Sequence, residues 1–192
     1  MRLFIAAYPP AEACDDLAGR LAGLRVARAA GSGVNTRLAR RETWHVTLAF
    51  LGEVAEERAT GAIAALDRAA EAWRAEPPVL RLAGGGRFGR GRFTVLWVGV
   101  GGDRQPLVRL HRQVRRELKR ARLPYDDRPF KPHLTIARPG DRVDRAEVED
   151  DRAALAAYAG PEWPVREVVL MRSHPGPAPR YEPVARAGLT GP

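Results

Sequence analysis

The sequence has a single cysteine, and this scarcity excludes two kinds of structure. Cys14 has no partner among the 192 residues, so the chain can form no intramolecular disulfide and contains no CxxC metal site. Such a count is typical of proteins from a reducing environment, although a cysteine-poor secreted protein would also fit it. We therefore expect a cytoplasmic protein.

Long apolar runs are also missing. No run approaches the ~18 residues that a membrane-spanning helix requires. The N-terminal run from Leu3 to Tyr8 is stopped by Pro9 and Pro10 and lacks a small-residue cleavage pattern, which argues against a signal peptide. A chain of this length can bury a substantial core without disulfides or metal ions. We expect a soluble monomer with no membrane association.

Motifs for metal ions and nucleotide cofactors are absent as well. There is no HExxH, no cysteine cluster, and no GKS or GKT sequence. Gly84, Gly86 and Gly89 formally satisfy GxGxxG, but in a dinucleotide site this motif joins a strand to a helix. Here a strand-like segment, 92–100, follows it. We interpret residues 84–91 as a flexible hairpin connection, and we expect no metal ion and no cofactor.

Lysine is scarce, although the chain is strongly basic. Arginine and lysine number 32 against 23 acidic residues, a formal net charge of +9, yet only Lys119 and Lys131 are lysines. Such a charge favours a polyanionic partner such as RNA. Part of the charge reflects arginine-rich composition along the whole chain, so the charge alone favours nucleic acid only modestly.

What the sequence does contain is one short pattern, present twice. In Trp44-His45-Val46-Thr47-Leu48-Ala49-Phe50 and in Pro132-His133-Leu134-Thr135-Ile136-Ala137-Arg138, a threonine follows a histidine by two residues inside an alternating apolar run. This alternation indicates a half-buried strand, in which residues two apart share a face and stand about 6.6 Å apart. Each segment therefore places one imidazole beside one hydroxyl. The intervening residues are expected to face the core: Val46, Leu48, Leu134 and Ile136.

Two imidazoles and two hydroxyls around one cleft are suited to phosphodiester chemistry. An unperturbed histidine pKa is near 6.5, so one imidazole can be neutral and the other protonated close to neutral pH. The neutral ring can accept a proton from attacking water while the charged ring protonates the leaving oxygen. Thr47 and Thr135 can donate hydrogen bonds to the phosphate oxygens, where negative charge grows. This chemistry requires no metal ion.

Residues flanking the motifs suggest further contacts with the substrate. Lys131 should share the face of His133, and Arg138 at the end of the strand could reach a phosphate, as Arg41 could near the first motif. Phe88, in the glycine-rich segment, is a candidate for stacking on a base.

The two remaining histidines are assigned structural positions. His111 lies beside the apolar stripe of a basic helix, where a packing role is favoured over a ligand role. His174 lies in a proline-rich turn and is expected to be an exposed loop residue.

Periodicity predicts eleven elements, in the order β-α-β-α-β-β-α-β-α-β-β. Each motif follows a helix, and the second histidine comes 88 residues after the first, so we expect two similar lobes of mixed sheet with helices outside and a cleft between them. The predicted helices are Glu12–Arg28, Glu53–Trp73, Gln105–Arg122 and Arg145–Ala159. The predicted strands are Leu3–Tyr8, the first motif, Val79–Ala83, Arg92–Val100, Pro129–Arg138, Val165–Met171 and Arg180–Ala187.

Five segments spread over nearly the whole chain resemble a known family. They are similar to the 2H phosphoesterase superfamily and, within it, to the RNA 2′,3′-cyclic phosphodiesterases, also called 2′-5′ RNA ligases. The segments are Arg2–Ala6, Trp44–Val54, Val95–Val100, Phe130–Arg138, and Met171–Ser173 together with Tyr181.

The resemblance implies an α+β fold, the bilobal 2H phosphoesterase fold. In it, two pseudo-symmetric lobes of antiparallel or mixed sheet, with outer helices, enclose a central cleft, and residues 1–192 form a single bilobal domain. It also implies metal-independent opening of an RNA 2′,3′-cyclic phosphate to a 2′-phosphate, with RNA or a nucleotide carrying such an end as the partner. His45 would be the proton donor, His133 the proton acceptor, and Thr47 and Thr135 the phosphate-binding groups. The same groups would also serve reversible 2′-5′ RNA ligation.

Two other functions stay open. The protein could be a non-catalytic RNA-end-binding protein that uses a basic cleft. It could also be a metal-dependent hydrolase with His45 and His133 as ligands, although neither motif contains the carboxylate that such a site would need.

Overall fold

The structure, a computed structural model, describes residues 1–176 and 179–191. Within these residues the chain folds into two four-stranded antiparallel sheets and five α-helices. The strands are β1 Arg2–Ala7, β2 Val46–Glu53, β3 Val79–Phe88, β4 Val95–Gly102, β5 His133–Ala137, β6 Ala159–Pro164, β7 Glu167–His174 and β8 Arg180–Gly188. The helices are α1 Ala11–Leu21, α2 Arg25–Gly31, α3 Ala59–Glu71, α4 Arg104–Arg120 and α5 Arg145–Ala156.

Each histidine–threonine motif lies on the edge strand of its own sheet. The first sheet has the order β2-β1-β7-β8 and the second has the order β5-β4-β3-β6, with every neighbouring pair antiparallel. The expected mixed sheets are therefore antiparallel throughout the described residues. The lobes are also not consecutive halves of the sequence, because the C-terminal strands β7 and β8 complete the sheet that contains β1.

The helices cross between the two lobes. Helix α4 joins β4 to β5 of the second sheet but packs on β2 and on α3, which covers β7 and β8 of the first sheet. Helix α1 joins β1 to β2 of the first sheet but packs on β3 and β6 of the second, where α5 also lies. Helices α1 and α4 each connect strands of one sheet and pack on strands of the other sheet. This packing fixes the relative position of the two motif strands.

Residues of both motif strands alternate between core and cleft, as the sequence predicts. Val46, Leu48, Leu134 and Ile136 are each exposed by 1% or less. They belong to one continuous apolar core that includes residues of both sheets and of the five helices. The opposite face of each strand is left for the polar residues of the motifs.

The structure departs most from the predicted elements in three places. The helix predicted over Glu12–Arg28 is broken after Leu21, because the carboxylate of Asp151 accepts hydrogen bonds from the N–H groups of Arg25 and Val26 (2.7 and 2.9 Å) and starts a second helix there. Strand β6 is absent from the prediction. The flexible connection predicted at 84–91 is wrong in its first half, because β3 continues to Phe88.

Gly86 explains why a glycine-rich segment forms a strand. It pairs with Trp97 on β4, and the indole ring lies where a Cβ atom at position 86 would stand. A side chain at this position would overlap the ring. The glycine here serves close packing rather than flexibility.

Each motif strand has its free edge covered by a segment from the other half of the chain. Residues 35–40, which precede the first motif, run beside β5: the N–H of Ala39 donates to the carbonyl of Ile136 (2.7 Å), and Leu38 forms a β-bridge with Ala137. Correspondingly, the N–H of Asp126 donates to the carbonyl of Phe50 on β2 (2.8 Å). These contacts hold the two motif strands facing one cleft.

Candidate active site

His45 immediately precedes β2, and its ring is fixed by the backbone two residues earlier. Its Nδ1 lies 2.7 Å from the carbonyl oxygen of Thr43. A carbonyl oxygen can only accept a hydrogen bond, so Nδ1 carries the hydrogen in the neutral ring, and Nε2 is the nitrogen available for proton exchange.

His133, the first residue of β5, repeats this arrangement. Its Nδ1 lies 2.7 Å from the carbonyl oxygen of Lys131. The same reasoning assigns the hydrogen to Nδ1 and leaves Nε2 for proton exchange. The two motifs thus present the same tautomer of histidine to the cleft.

Aromatic rings from the first sheet enclose His45. Ring centroids lie 4.7 Å away for Phe4, 5.2 Å for Tyr181 in an edge-on arrangement, and 5.8 Å for Tyr8. Phe4 and Tyr8 belong to the first apolar segment of the chain, and Tyr181 lies at the start of β8. The sequence indicates none of these contacts, because they join strands far apart in the chain.

A different aromatic pair supports His133. Phe88 meets the imidazole edge-on at 4.9 Å, and Trp97 lies 5.9 Å from it. The ammonium group of Lys131 lies above Trp97, 4.6 Å from the ring centroid, and 5.2 Å from that of Phe88. The structure therefore places Phe88 and Lys131 against each other beside His133, and neither is among the residues that line the cavity described next.

Both imidazoles and both motif hydroxyls line a single cavity of about 900 Å³. This is near the upper end of the range of about 300–1,000 Å³ for ligand pockets. Four arginines line the same cavity, and none of them forms an ion pair with a carboxylate in the described part of the chain: Arg2, Arg37, Arg40 and Arg138. No acidic residue is among the described residues that line it. The cavity is suited to an anion.

Burial disfavours the charged form of both imidazoles. Burial, with a smaller contribution from the nearby His133, lowers the pKa of His45 to about 4. Burial also lowers the pKa of His133, and so do the positive charges of Arg138 and Lys131. A phosphate anion between the rings would act in the opposite direction and favour protonation of one of them.

Arg41, His111 and His174 do not line this cavity. Arg41 is bound to the carboxylate of Asp15 and does not line the cavity. His111 is buried, with Nδ1 2.7 Å from the carbonyl oxygen of Leu48 and its ring stacked on that of Phe130 at 4.0 Å, so its packing role is confirmed. His174 ends β7 instead of lying in a loop, and its Nε2 is 3.0 Å from Glu182.

No group of three or more His, Cys, Asp or Glu side chains that could hold a metal ion occurs among residues 1–176 and 179–191. No described helix is long and apolar enough to cross a membrane.

Comparison with known proteins gives consistent matches. A sequence model of the 2′-5′ RNA ligase superfamily matches residues 10–177. The RNA 2′,3′-cyclic phosphodiesterase of Geobacillus stearothermophilus is 36% identical over 151 residues, which cover 78% of this chain and 46% of that protein, so the match spans less than half of that relative. The RNA 2′,3′-cyclic phosphodiesterase of Aeropyrum pernix is 37% identical over 123 residues, which cover 64% of this chain and 67% of that protein.

A solved structure superimposes on this chain over its full length. The crystal structure of TT0787 from Thermus thermophilus superimposes with a TM-score of 0.75 at 28% identity, covering 100% of this chain and 99% of that chain. Together with the match over residues 10–177, this means that the chain belongs to the 2′-5′ RNA ligase superfamily.

Proposed function

We propose that this protein hydrolyses the 2′,3′-cyclic phosphate end of RNA to a 2′-phosphomonoester, with His45 and His133 as a metal-independent acid–base pair. The observation that carries the proposal is the arrangement of the two motifs. Both imidazoles, each with its hydrogen held on Nδ1, line one cavity with two threonine hydroxyls and with arginines that lack carboxylate partners in the described residues. The names of the relatives that share 36–37% identity support the same activity.

In the proposed step, a water molecule attacks phosphorus while the bond from phosphorus to O3′ breaks. Nε2 of neutral His133 takes the proton of the water, and protonated Nε2 of His45 gives a proton to O3′ as it leaves. The phosphate stays on O2′, and the two histidines have exchanged protonation states. This order of acid and base follows the family resemblance.

Charge on the phosphate is balanced by groups at the cavity wall. Thr47 and Thr135 stand on the same strand faces as the two histidines and donate hydrogen bonds to the non-bridging oxygens in the proposed complex. Arg138 lies one residue past β5, lines the cavity and is exposed, so its guanidinium is available to the same oxygens.

At neutral pH the free protein lacks the proton that His45 must donate as the acid. With the pKa of His45 at about 4, almost all free molecules carry a neutral ring. The negative charge of the substrate raises this pKa on binding, so protonation of His45 and substrate binding favour each other. Ligation would begin from the same protonation states, with a 5′-hydroxyl attacking phosphorus in place of water and losing its proton to His133 while O3′ leaves with a proton from His45.

The test is incubation of the protein, in EDTA, with an oligonucleotide ending in a 2′,3′-cyclic phosphate. We expect a 2′-phosphate end, identified by its resistance to a 3′-specific phosphatase and by mass. His174→Ala is a matched control, because this partly exposed histidine pairs with Glu182 and does not line the cavity. Binding without product would identify an RNA-end-binding protein, and turnover only with added divalent metal would identify a metal-dependent hydrolase; either result contradicts the proposal.

Three expectations from the sequence stay predictions: a cytoplasmic location, a monomeric state, and organisation of residues 1–192 as one bilobal domain. The continuous core that joins both sheets supports the last of these. Sedimentation and a single cooperative unfolding transition would test the second and third.

A further inference from the structure

The cavity extends beyond the groups that the proposed reaction needs. In the proposed reaction the cyclic phosphate is bound by the two motifs and Arg138. The same cavity is also lined by residues 35–40, which we call the strap, and by residues of α2 and β1. The strap is therefore a candidate for contacts with a part of the substrate other than its reacting end.

The strap is held in a fixed position relative to both imidazoles. The N–H of Arg138 donates to the carbonyl of Thr36 (3.1 Å), and the N–H of Ala39 donates to Ile136 on β5. On the other side, the indole N–H of Trp44, next to His45, donates to the carbonyl of Ala39 (3.1 Å). Both motifs therefore anchor the backbone of the strap beside the reaction centre.

The strap presents two arginines to the cavity. Arg37 and Arg40 are exposed, line the cavity and form no ion pair with a carboxylate in the described residues. By contrast, the guanidinium of the adjacent Arg41 is paired with the carboxylate of Asp15. The arginines that face the cavity are those that keep their charge available for a ligand.

Arg37 is held in an unusual backbone conformation. Its φ angle is +48°, in the left-handed region that side chains other than glycine rarely adopt. Its N–H donates to the side-chain oxygen of Asn35 (3.2 Å), and the strap bonds on either side hold the turn. Between the arginines, Leu38 lines the cavity with 39% of its surface exposed, so an apolar contact is also available to a ligand.

Charge indicates what the strap would bind. A nucleoside 2′,3′-cyclic phosphate carries one negative charge, whereas four arginines without carboxylate partners in the described residues surround the cavity. Each additional nucleotide of an RNA chain brings one more phosphodiester charge and one more ribose and base. The excess of positive charge is therefore matched by a chain rather than by a single nucleotide.

We infer that the strap is a binding subsite for the nucleotide that precedes the cyclic end, with Arg37 and Arg40 binding its phosphodiester and Leu38 packing on its ribose or base. This inference rests on the proposed function and specifies its substrate class. The protein then acts on oligonucleotides in preference to mononucleoside cyclic phosphates.

The experiment compares kcat/KM for a mononucleoside 2′,3′-cyclic phosphate and for a trinucleotide with the same cyclic end. The wild-type protein is expected to prefer the trinucleotide by at least ~10-fold, because hydrogen bonds between charged groups contribute on the order of a tenfold effect or more. In the double variant Arg37→Asn/Arg40→Gln, the ratio of kcat/KM for the trinucleotide to kcat/KM for the mononucleotide should fall by at least ~10-fold. Most of this change should come from a lower kcat/KM for the trinucleotide. Asparagine is chosen at position 37 because it tolerates a positive φ.

The matched control removes the same charge elsewhere. Arg109→Gln/Arg112→Gln changes two exposed arginines of α4 that do not line the cavity, and it should keep the wild-type ratio. The salt dependence of trinucleotide binding should also become shallower in the strap variant, by about 0.7 in log–log slope for each phosphate that an arginine no longer neutralises. Equal effects of the strap variant on the two substrates, or a ratio near one in the wild type, would overturn the inference.

Failure of the proposed function gives a different result. If neither substrate is turned over, the acid–base proposal fails, and the strap is then tested by equilibrium binding of the uncleaved trinucleotide. Weaker binding by the strap variant than by the control would still support the subsite. Equal binding by the two variants would refute it.

Discussion

His45 donates the hydrogen of Nδ1 to the backbone carbonyl oxygen of Thr43 across 2.7 Å, and His133 makes the same bond to Lys131 at the same distance. A histidine that is bonded to the carbonyl two residues before it has its ring orientation and its tautomer set by local backbone alone. The two motifs therefore reach equivalent states, although their aromatic neighbours differ. The two rings differ in their aromatic neighbours, which are Phe4, Tyr8 and Tyr181 at His45 and Phe88 and Trp97 at His133.

Removal of either imidazole should abolish most of the activity. We expect His45→Ala and His133→Ala each to lower kcat by at least ~10²-fold, the lower end of the contribution of general acid–base catalysis. The double variant should lose much less than the product of the two effects, because a single remaining partner cannot complete the proton transfers. Single-turnover rates with a cyclic-ended oligonucleotide measure this.

The histidine control separates chemistry from folding. His174→Ala should retain wild-type kcat, and circular dichroism should show that all variants are folded. A loss of less than about threefold in either motif variant, far below the usual acid–base contribution, would rule out the two-histidine mechanism.

The pH dependence should follow from the lowered pKa values. Both histidines of the free protein titrate below the ordinary value near 6.5, and the pKa of His45 is about 4. Because kcat/KM reports ionisation of the free enzyme, we expect it to be highest below pH 6.5 and to fall about tenfold per pH unit above the higher of the two pKa values. The kcat profile should extend to higher pH, since bound phosphate raises the pKa of the acid. A kcat/KM maximum above about pH 7 would contradict this.

Stability should also depend on pH through His45. Its folded pKa, about 4, lies below the unfolded value near 6.5, so between these values the unfolded chain binds the extra proton. The free energy of unfolding should therefore fall as the pH is lowered from about 6.5 to 4, by up to about 3 kcal/mol. Urea unfolding of wild type and His45→Asn across this window checks the prediction: the difference between the two curves should change with pH only inside the window and level off below about pH 4.

The sequence predicts the motif strands well because their information is local. Alternation around His45 and His133 is enough to give the strands and the core positions of Val46 and Leu134, which the structure confirms. The aromatic rings around the histidines could not be predicted in this way. Tyr181 reaches His45 only because β8 joins a sheet with β7, β1 and β2, and no pattern within one segment specifies that order.

The strap illustrates the same limit. The arginines at 37 and 40 are visible in the sequence, but their neighbour Arg41 looks equivalent to them. Only the tertiary position of Asp15, on α1, distinguishes the paired arginine from the two that face the cavity. Charge pairing between residues far apart in sequence decides which cations remain available to a ligand.

Phe88 offers a test of positioning against base stacking. Its ring packs edge-on against His133 and near Trp97, so Phe88→Leu should lower kcat by about tenfold through misplacement of the imidazole, with no change in base preference. The matched control is Phe93→Leu, a phenylalanine that is 67% exposed and that does not line the cavity, which should leave kcat unchanged. A change confined to KM and dependent on the terminal base would instead favour the stacking role expected from the sequence.

Replacement of glycine by alanine should change the stability of the fold in opposite directions at positions 86 and 61. At Gly86 a new Cβ would overlap the indole of Trp97, so Gly86→Ala should destabilise the fold by about 1–3 kcal/mol, the usual cost of overpacking. At Gly61, inside α3, nothing lies within 4 Å of the new Cβ, and alanine should stabilise the helix by about 0.5–1 kcal/mol. Urea unfolding of both variants measures the two changes in the free energy of unfolding.

Activity separates the two positions further. Trp97 lies 5.9 Å from His133, so displacement of the indole in Gly86→Ala should also lower kcat, whereas Gly61→Ala should retain it. If Gly86→Ala were as stable and as active as the wild type, then the indole would have room to move away without disturbing His133. In that case the close packing of β3 on β4 would not contribute to the position of the imidazole.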